Sequence, residues 1–459
     1  MRNPLSKLLR SIFQQLALLR QRRGFGFHVM TLMSGAAIAQ LLTILLAPVL
    51  TRLYRPEDFA VLAVFSTVLF IFGPMVSARY ELAIVPSRDN DEAFGLVVLS
   101  CIISIGVGVC LSILLRVPAI IRTLKAELFL KYLWILPVGV TVSGIYQAFR
   151  QYSIRRQSYR AISVSQVIQS SVSVCGQGIA APIIHGWLGL VCGQLAGLTG
   201  SAISLRSGLR SEWNVWFRDH RKRVFATFCS LITAYKRYPI YLPWGGLIDA
   251  IAQRLPVLLL PVFYSANFLG MYAIADRLLR TPISLVGQAS AQVLFQKMTQ
   301  ADVKARMPKV LITWAVMTTL LCLVPLAGLV YFGRFLFTFA LGKAWASAAT
   351  VSAALIPIYW GAIVVSPVSN LLIVADRQGL LLWIQLLLAL AGFCSLWLAH
   401  YLLMTGTQAV LMYSVAQFVV YLVYFAVVFS VACKVSHQQR LAAIGEEVEP
   451  ELQPATPQL

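Results

Sequence analysis

The chain has 459 residues, 59% of them hydrophobic and only 12% charged, about half the charged share of a soluble domain. Its net charge of +21 comes from 38 Lys and Arg against 17 Asp and Glu. The shortage of polar side chains excludes a water-soluble fold. The basic residues are spread over many short segments, which speaks against a nucleic-acid surface.

Residues 1–28 hold Arg2, Lys7, Arg10, Arg20, Arg22 and Arg23 and no acid. They read as a basic, partly amphipathic arm and not as a cleaved signal, because the apolar run that follows is too long for a signal core. From there to residue 433, apolar runs long enough to cross about 30 Å of hydrocarbon recur, and they show no two-residue alternation. In lipid this pattern selects helices over a barrel. Spans are predicted at 29–50, 59–79, 94–115, 128–148, 161–181 and 184–205, then at 239–263, 267–296, 309–332, 348–374, 378–401 and 408–433. The eighth carries charges and Pro282.

The predicted fold is therefore an all-α polytopic membrane protein of about twelve transmembrane helices. With the first residue inside, 27 of the 38 Lys and Arg fall on the cytoplasmic side, eight outside and three within spans. That bias satisfies the positive-inside rule with both termini cytoplasmic. The longest internal polar stretch, Arg206 to Arg237, includes RDHRKR at 218–223 and separates two sets of six spans. The expected organisation is an arm at 1–28, a six-helix bundle at 29–206, a basic linker at 207–238, a second bundle at 239–434 and a disordered cytoplasmic tail at 435–459. A short echo, DFAVLA at 58–63 and FLGMYA at 268–273, opens the second and eighth spans. It fits two parallel repeats.

The eight cysteines lie mostly in apolar runs without a C-x-x-C pair, and read as small buried hydrophobes. The five histidines have no ligand spacing, so no metal site and no cofactor is expected. In the sixth span Gly189, Gly193 and Gly197 form a G-x-x-x-G-x-x-x-G ladder, continued by Gly200, which suits close helix packing.

Charges inside a bilayer are costly and mark sites. Asp249 and Arg254 lie in the seventh span; Asp276, Arg277 and Arg280 lie in the eighth. Arg254 and Arg277 fall about 15 Å from the exterior ends of their helices, with Asp249 and Arg280 deeper. Asp276 and Arg280, spaced i,i+4, are expected to pair. Arg254 and Arg277 then face Asp249 with one positive charge in surplus. One reading is salt bridges joining two helices. The other is a cationic lining for an anionic substrate, since arginine forks match phosphate oxygens. Arg79 and Glu81, at the inner end of the second span, are further candidates for ion pairing or coupling. Arg52, Arg55, Glu57 and Asp58 read as a solvated turn broken at Arg55-Pro56. No nucleophile–base set, phosphate loop or catalytic carboxylate pair stands out, and the exterior loops are short, so an enzyme is not expected.

The stretch LLAPVLTRLYRPEDFAVLAVFSTVLFIFGPMVSARYELAIVPSRDNDEA at 45–93 resembles the polysaccharide-biosynthesis flippases, the Wzx-like branch of the multidrug/oligosaccharidyl-lipid/polysaccharide exporter superfamily. Its marks are the T-R-L-Y-x-P-x-D-F turn and R-Y-E-L-A-I at 79–84. YPIYLPWGGLIDAIAQRLPVLLL at 238–260 and GMYAIADRLLRTPISLVGQASAQVLFQKM at 270–298 resemble the same family's seventh and eighth spans. Two positions depart from the pattern. Ala60 stands where glycine is usual, and Arg254 stands where a neutral polar residue is common, so Arg254 is not carried over as a shared family site. The resemblance implies a bacterial inner-membrane protein of two six-helix bundles around a central cavity. It implies translocation of an undecaprenyl-pyrophosphate-linked oligosaccharide for O-antigen, capsule or exopolysaccharide assembly. Membrane lipids, a polysaccharide polymerase and chain-length machinery would be its partners, and Arg254, Arg277 and Arg280 the cations along the diphosphate's route. The rival on the same fold is an ion-coupled small-molecule exporter, which would favour acidic residues in the cavity.

Overall fold

The structure, a computed structural model, describes residues 25–116, 135–184, 186–220, 224–298, 306–375 and 377–448. Helices α1 (Phe25–Leu53), α2 (Pro56–Phe72), α3 (Tyr80–Ala83), α4 (Asn90–Leu114), α5 (Ile135–Arg155), α6 (Tyr159–Ala180) and α7 (Trp187–Ser207) come first. Then follow α8 (Arg210–His220), α9 (Val224–Ala234), α10 (Arg237–Phe263), α11 (Ala266–Met298) and α12 (Met307–Leu341). The last are α13 (Ala348–Ala354), α14 (Ile356–Val365), α15 (Leu371–Val374), α16 (Gln378–Tyr401) and α17 (Gly406–Val448). With α13 and α14 counted as one bent segment, twelve of these pieces correspond to the twelve expected spans.

By length and composition, seven helices among the described residues can cross a membrane, and eight if the bent pair is one span. Their outward faces are apolar to a degree that water would not tolerate. On α12, Val324, Tyr331, Phe335 and Phe339 are each at least 70% exposed, as lipid-facing side chains are.

Four expectations need correction. The second span ends at Phe72, because Gly73-Pro74 stops the helix; turns follow to Arg79, with Ala78 and Arg79 both in the left-handed region. The tenth is broken at Leu355, where its two parts bend by 49° just before Pro357, and again near Pro367. The polar stretch after residue 206 is not an open linker. It forms α8 and α9, whose Trp216 and Leu231 are buried against Phe94 of α4. The tail is helical as far as Val448, since residues 435–444 contain neither glycine nor proline. Pro282, by contrast, leaves α11 continuous. The arm up to residue 24, the start of the fourth span, the basic residues 221–223, residues 299–305 and the tail beyond 448 lie outside the described residues.

The chain forms two compact units. The first comprises Met1–Leu45, Phe72–Ile179 and Cys192–Trp244; the second comprises Leu46–Ile71, Ala180–Val191 and Gly245–Leu459. This division departs from the expected boundaries by chain order, because the segments around α2 pack onto later elements. The Trp345 indole donates to the Thr51 carbonyl at 2.8 Å, and Phe59 meets the same ring edge-on at 5.2 Å. Gly270 on α11 lies against the Pro56 backbone, where a Cβ would overlap the carbonyl.

In the first unit the core gathers around Phe94, with Tyr152 at 5.5 Å and Trp213 at 5.7 Å between ring centres. Gly193 and Gly197 let α7 approach α6 at Gln177 and Ser173, as the glycine ladder implies. Of the eight cysteines, Cys101 alone is buried within the protein; all eight are free. Cys192 and Cys322 are half-buried and the other five are exposed, which corrects the expectation that most are buried.

Candidate functional site: a polar cavity in the second unit

Within the second unit, α10, α11, α14, α16 and α17 line an open cavity of about 410 Å³. Helical spacing explains what faces it. On α11, Asp276, Arg280, Ile283, Gly287 and Ala291 follow one another by three or four residues and line one stripe. On α17, Tyr413, Gln417 and Tyr421 repeat at intervals of four and line another. On α10, Asp249, Ala252 and Gln253 complete the wall.

The polar groups are tied to one another. Arg280 pairs with Asp276 at 3.1 Å, so the expected i,i+4 contact forms. Tyr359 of α14 donates its hydroxyl to the same Asp276 carboxylate, which is buried. Asp249 accepts from Gln253 Nε2 at 2.8 Å and has no cationic partner among the described residues. Gln417 Nε2 donates to the Leu388 carbonyl at 2.7 Å, and the Ser414 hydroxyl accepts from the Ile358 N–H at 2.9 Å. The latter bond satisfies a backbone donor in the first turn of α14 that has no partner within its own helix.

Of the three arginines expected along a substrate route, only Arg280 lines this cavity. Arg277 stands one residue, about 100° of helix rotation, from Asp276 at the head of the α11 stripe. Arg254 is likewise off the α10 stripe, with its guanidinium over the Phe70 ring at 4.6 Å. Neither forms an ion pair among the described residues, and neither approaches Asp249 as expected. Among the described residues the charged lining is Asp249 and Asp276 with Arg280, so this cavity by itself is not a cationic surface.

Arg79 and Glu81 belong to the first unit. Glu81 is 1% exposed, accepts from the Ser77 hydroxyl and lies 3.8 Å from Arg79. These groups hold a sharp local turn together. In the second unit, Asp58 accepts from the Arg55 N–H at 2.9 Å, Glu57 from Asn267 Nδ2 at 3.3 Å, and Arg52 donates to the Phe339 carbonyl at 3.2 Å. The turn at Arg55-Pro56 is thus a structural joint.

The sequence reading missed Tyr272, Tyr359, Tyr413, Tyr421 and the amides Gln253, Gln288, Gln385 and Gln417, all of which line the cavity. The signal was present in the Tyr413–Gln417–Tyr421 spacing: three polar-tipped residues on one face of an otherwise apolar helix. Among the described residues, no His, Cys, Asp or Glu grouping has the form of a metal site.

Comparison with solved structures gives the fold. The chain matches an inward-facing multidrug-resistance MATE-family transporter of the MOP superfamily, with a TM-score of 0.67 at 14% identity over 89% of this chain and 95% of that one. It matches an outward-facing form of such a transporter at 0.60 and 13% identity, over 89% and 96%. A MOP-superfamily transporter from Pyrococcus furiosus, described as having a binding pocket of reverse polarity, matches at 0.58 and 13% identity over the same shares. Curated protein sequences give no match. A sequence profile described as "Polysaccharide biosynthesis protein" matches residues 49–350. The chain therefore belongs to the polysaccharide biosynthesis protein family, a Wzx-like family of membrane exporters with the twelve-helix MOP transporter fold.

Proposed function

We propose that the chain moves an undecaprenyl-diphosphate-linked oligosaccharide from the cytoplasmic to the periplasmic leaflet of a bacterial inner membrane, by alternating access. The product would enter O-antigen, capsule or exopolysaccharide assembly. The observation that carries this reading is the polar cavity. Carboxylates, amides and phenols gathered at membrane depth are expensive and serve cargo more readily than packing. Membership of a polysaccharide biosynthesis family supports a glycan-bearing cargo. Arg254 and Arg277, neither in an ion pair among the described residues, are the cations proposed for the diphosphate. The Lys and Arg distribution supports a topology with both termini in the cytoplasm. Membrane lipids, a polysaccharide polymerase and its chain-length machinery are the proposed partners.

A second reading, an ion-coupled small-molecule exporter, is favoured by one feature: Asp249 faces the cavity without a cationic partner among the described residues. Deletion of the gene separates the two. The flippase reading expects loss of surface polysaccharide and accumulation of the lipid-linked oligosaccharide, with unchanged sensitivity to cationic dyes. Normal polysaccharide with increased dye sensitivity would select the exporter.

A further inference from the structure

The cavity in the second unit is poorly made for a diphosphate. Its lining has one guanidinium, Arg280, against two carboxylates, Asp249 and Asp276. Arg280 is committed to Asp276 at 3.1 Å, and among the described residues Asp249 is engaged only by the neutral Gln253 amide, at 2.8 Å. An anion entering here would meet Asp249, a carboxylate that forms no ion pair among the described residues.

The same lining is well made for hydroxyl groups. Gln288 of α11 and Gln385 of α16 reach the cavity, and neither makes a side-chain hydrogen bond among the described residues. Each amide therefore brings two donors and an acceptor that remain unspent. A carboxylate such as Asp249 accepts from hydroxyl donors in the same way. Tyr413 and Tyr421 add ring surfaces, and the C–H faces of sugar rings pack on such surfaces. These side chains are also fixed in place. A Cβ at Gly392 would come within 2.7 Å of Gln417 Nε2 and 3.0 Å of the Tyr413 ring, and one at Gly361 within 2.9 Å of Tyr421. Both glycines thus seat the α17 stripe closely against its neighbours.

We infer that this cavity is a glycan subsite: it receives the uncharged, hydroxyl-bearing sugars of the lipid-linked substrate, and Gln288 and Gln385 help to set which sugars are accepted. The inference rests on the flippase reading and divides the substrate, with sugars in the cavity and the diphosphate held elsewhere.

The test uses the full chain in proteoliposomes and two lipid probes. One is the undecaprenyl-diphosphate oligosaccharide extracted from cells that encode this chain. The other is the same lipid trimmed enzymatically to its first sugar. The readout is the ratio of translocation rates for the two, compared between the wild type and a Gln288→Ala/Gln385→Ala variant at matched protein abundance. Loss of two neutral hydrogen bonds is expected to lower the preference for the full glycan about tenfold. Gln385→Asn, which keeps the amide but shortens its reach, is expected to lower it less. If the variant slows both probes equally, or leaves their ratio unchanged, the subsite is overturned while the flippase reading stands. If the wild type moves neither lipid but moves tetraphenylphosphonium, the flippase reading fails and the subsite falls with it.

Discussion

Tyr359 donates its hydroxyl to the carboxylate of Asp276, the same carboxylate that holds Arg280. Three side chains from two helices, α11 and α14, thereby share one buried negative charge at the cavity wall. The arrangement couples α14, which follows the 49° break at Leu355, to the long α11.

Asp276→Asn is expected to leave Arg280 without its counter-charge. The cost is about 1–3 kcal/mol, moderated because Arg280 opens to the cavity. Tyr359→Phe removes one hydrogen bond and is expected to cost about 1 kcal/mol. Thermal unfolding of the purified protein in detergent checks the order: Asp276→Asn falls further than Tyr359→Phe.

Arg254→Ala and Arg277→Ala are each expected to reduce surface polysaccharide about tenfold, the scale of one charge-assisted bond. The lipid-linked intermediate should accumulate while protein abundance stays normal. Quantifying both pools in cells checks this. Unchanged polysaccharide in both variants would remove these two arginines from the diphosphate route.

Hydropathy, read together with the Lys and Arg tally, made about twelve spans legible, although among the described residues seven helices, or eight with the bent pair, are long and apolar enough on their own. It failed where local chemistry overrides an apolar average. Gly73-Pro74 ends α2 inside a run that hydropathy continues to residue 79. The charges of α8 hide the apolar face formed by Trp213 and Trp216, while α9, which carries no charge and buries Leu231, is at 11 residues too short to stand out as a span. At the site, the charged residues were found because charge in a bilayer is conspicuous. Their pairing was only half legible: the i,i+4 contact follows from helix geometry, whereas the place of Arg254 over Phe70 depends on tertiary packing. The tyrosines escaped notice because a phenol counts as apolar until its hydroxyl is given a partner.

Gly270→Val is expected to be severely destabilising, since a Cβ there overlaps the Pro56 carbonyl and a backbone cannot step aside as a flexible side chain can. A loss of about 2–3 kcal/mol or more follows from overpacking. Gly245→Ala, at a position where a Cβ meets nothing within 4 Å, is the control and should fold normally. Yield and melting temperature in detergent distinguish them.

Glu212 of α8 pairs with Arg156. Burial pushes its carboxyl up, but the Ser211 hydroxyl, its own backbone and the Arg156 guanidinium outweigh this and hold it below the usual carboxylate range. A lowered folded-state value contributes stability above the unfolded value, and that contribution is lost as pH falls through the folded one. The pair is partly exposed, so it is worth about 1 kcal/mol at most. Glu212→Gln should therefore melt slightly below the wild type at neutral pH, with the gap closing as the medium is acidified.

The central claim, translocation of a diphosphate-linked glycan, is tested most directly in sealed proteoliposomes. The undecaprenyl-diphosphate oligosaccharide is placed in both leaflets, and the glycan in the outer leaflet is cut by an added glycosidase. With the purified chain present, the account predicts that cleavage proceeds beyond the outer-leaflet half toward completion as inner-leaflet lipid is brought out. Cleavage that stops at the same half as in protein-free vesicles, with the protein correctly folded, would contradict it.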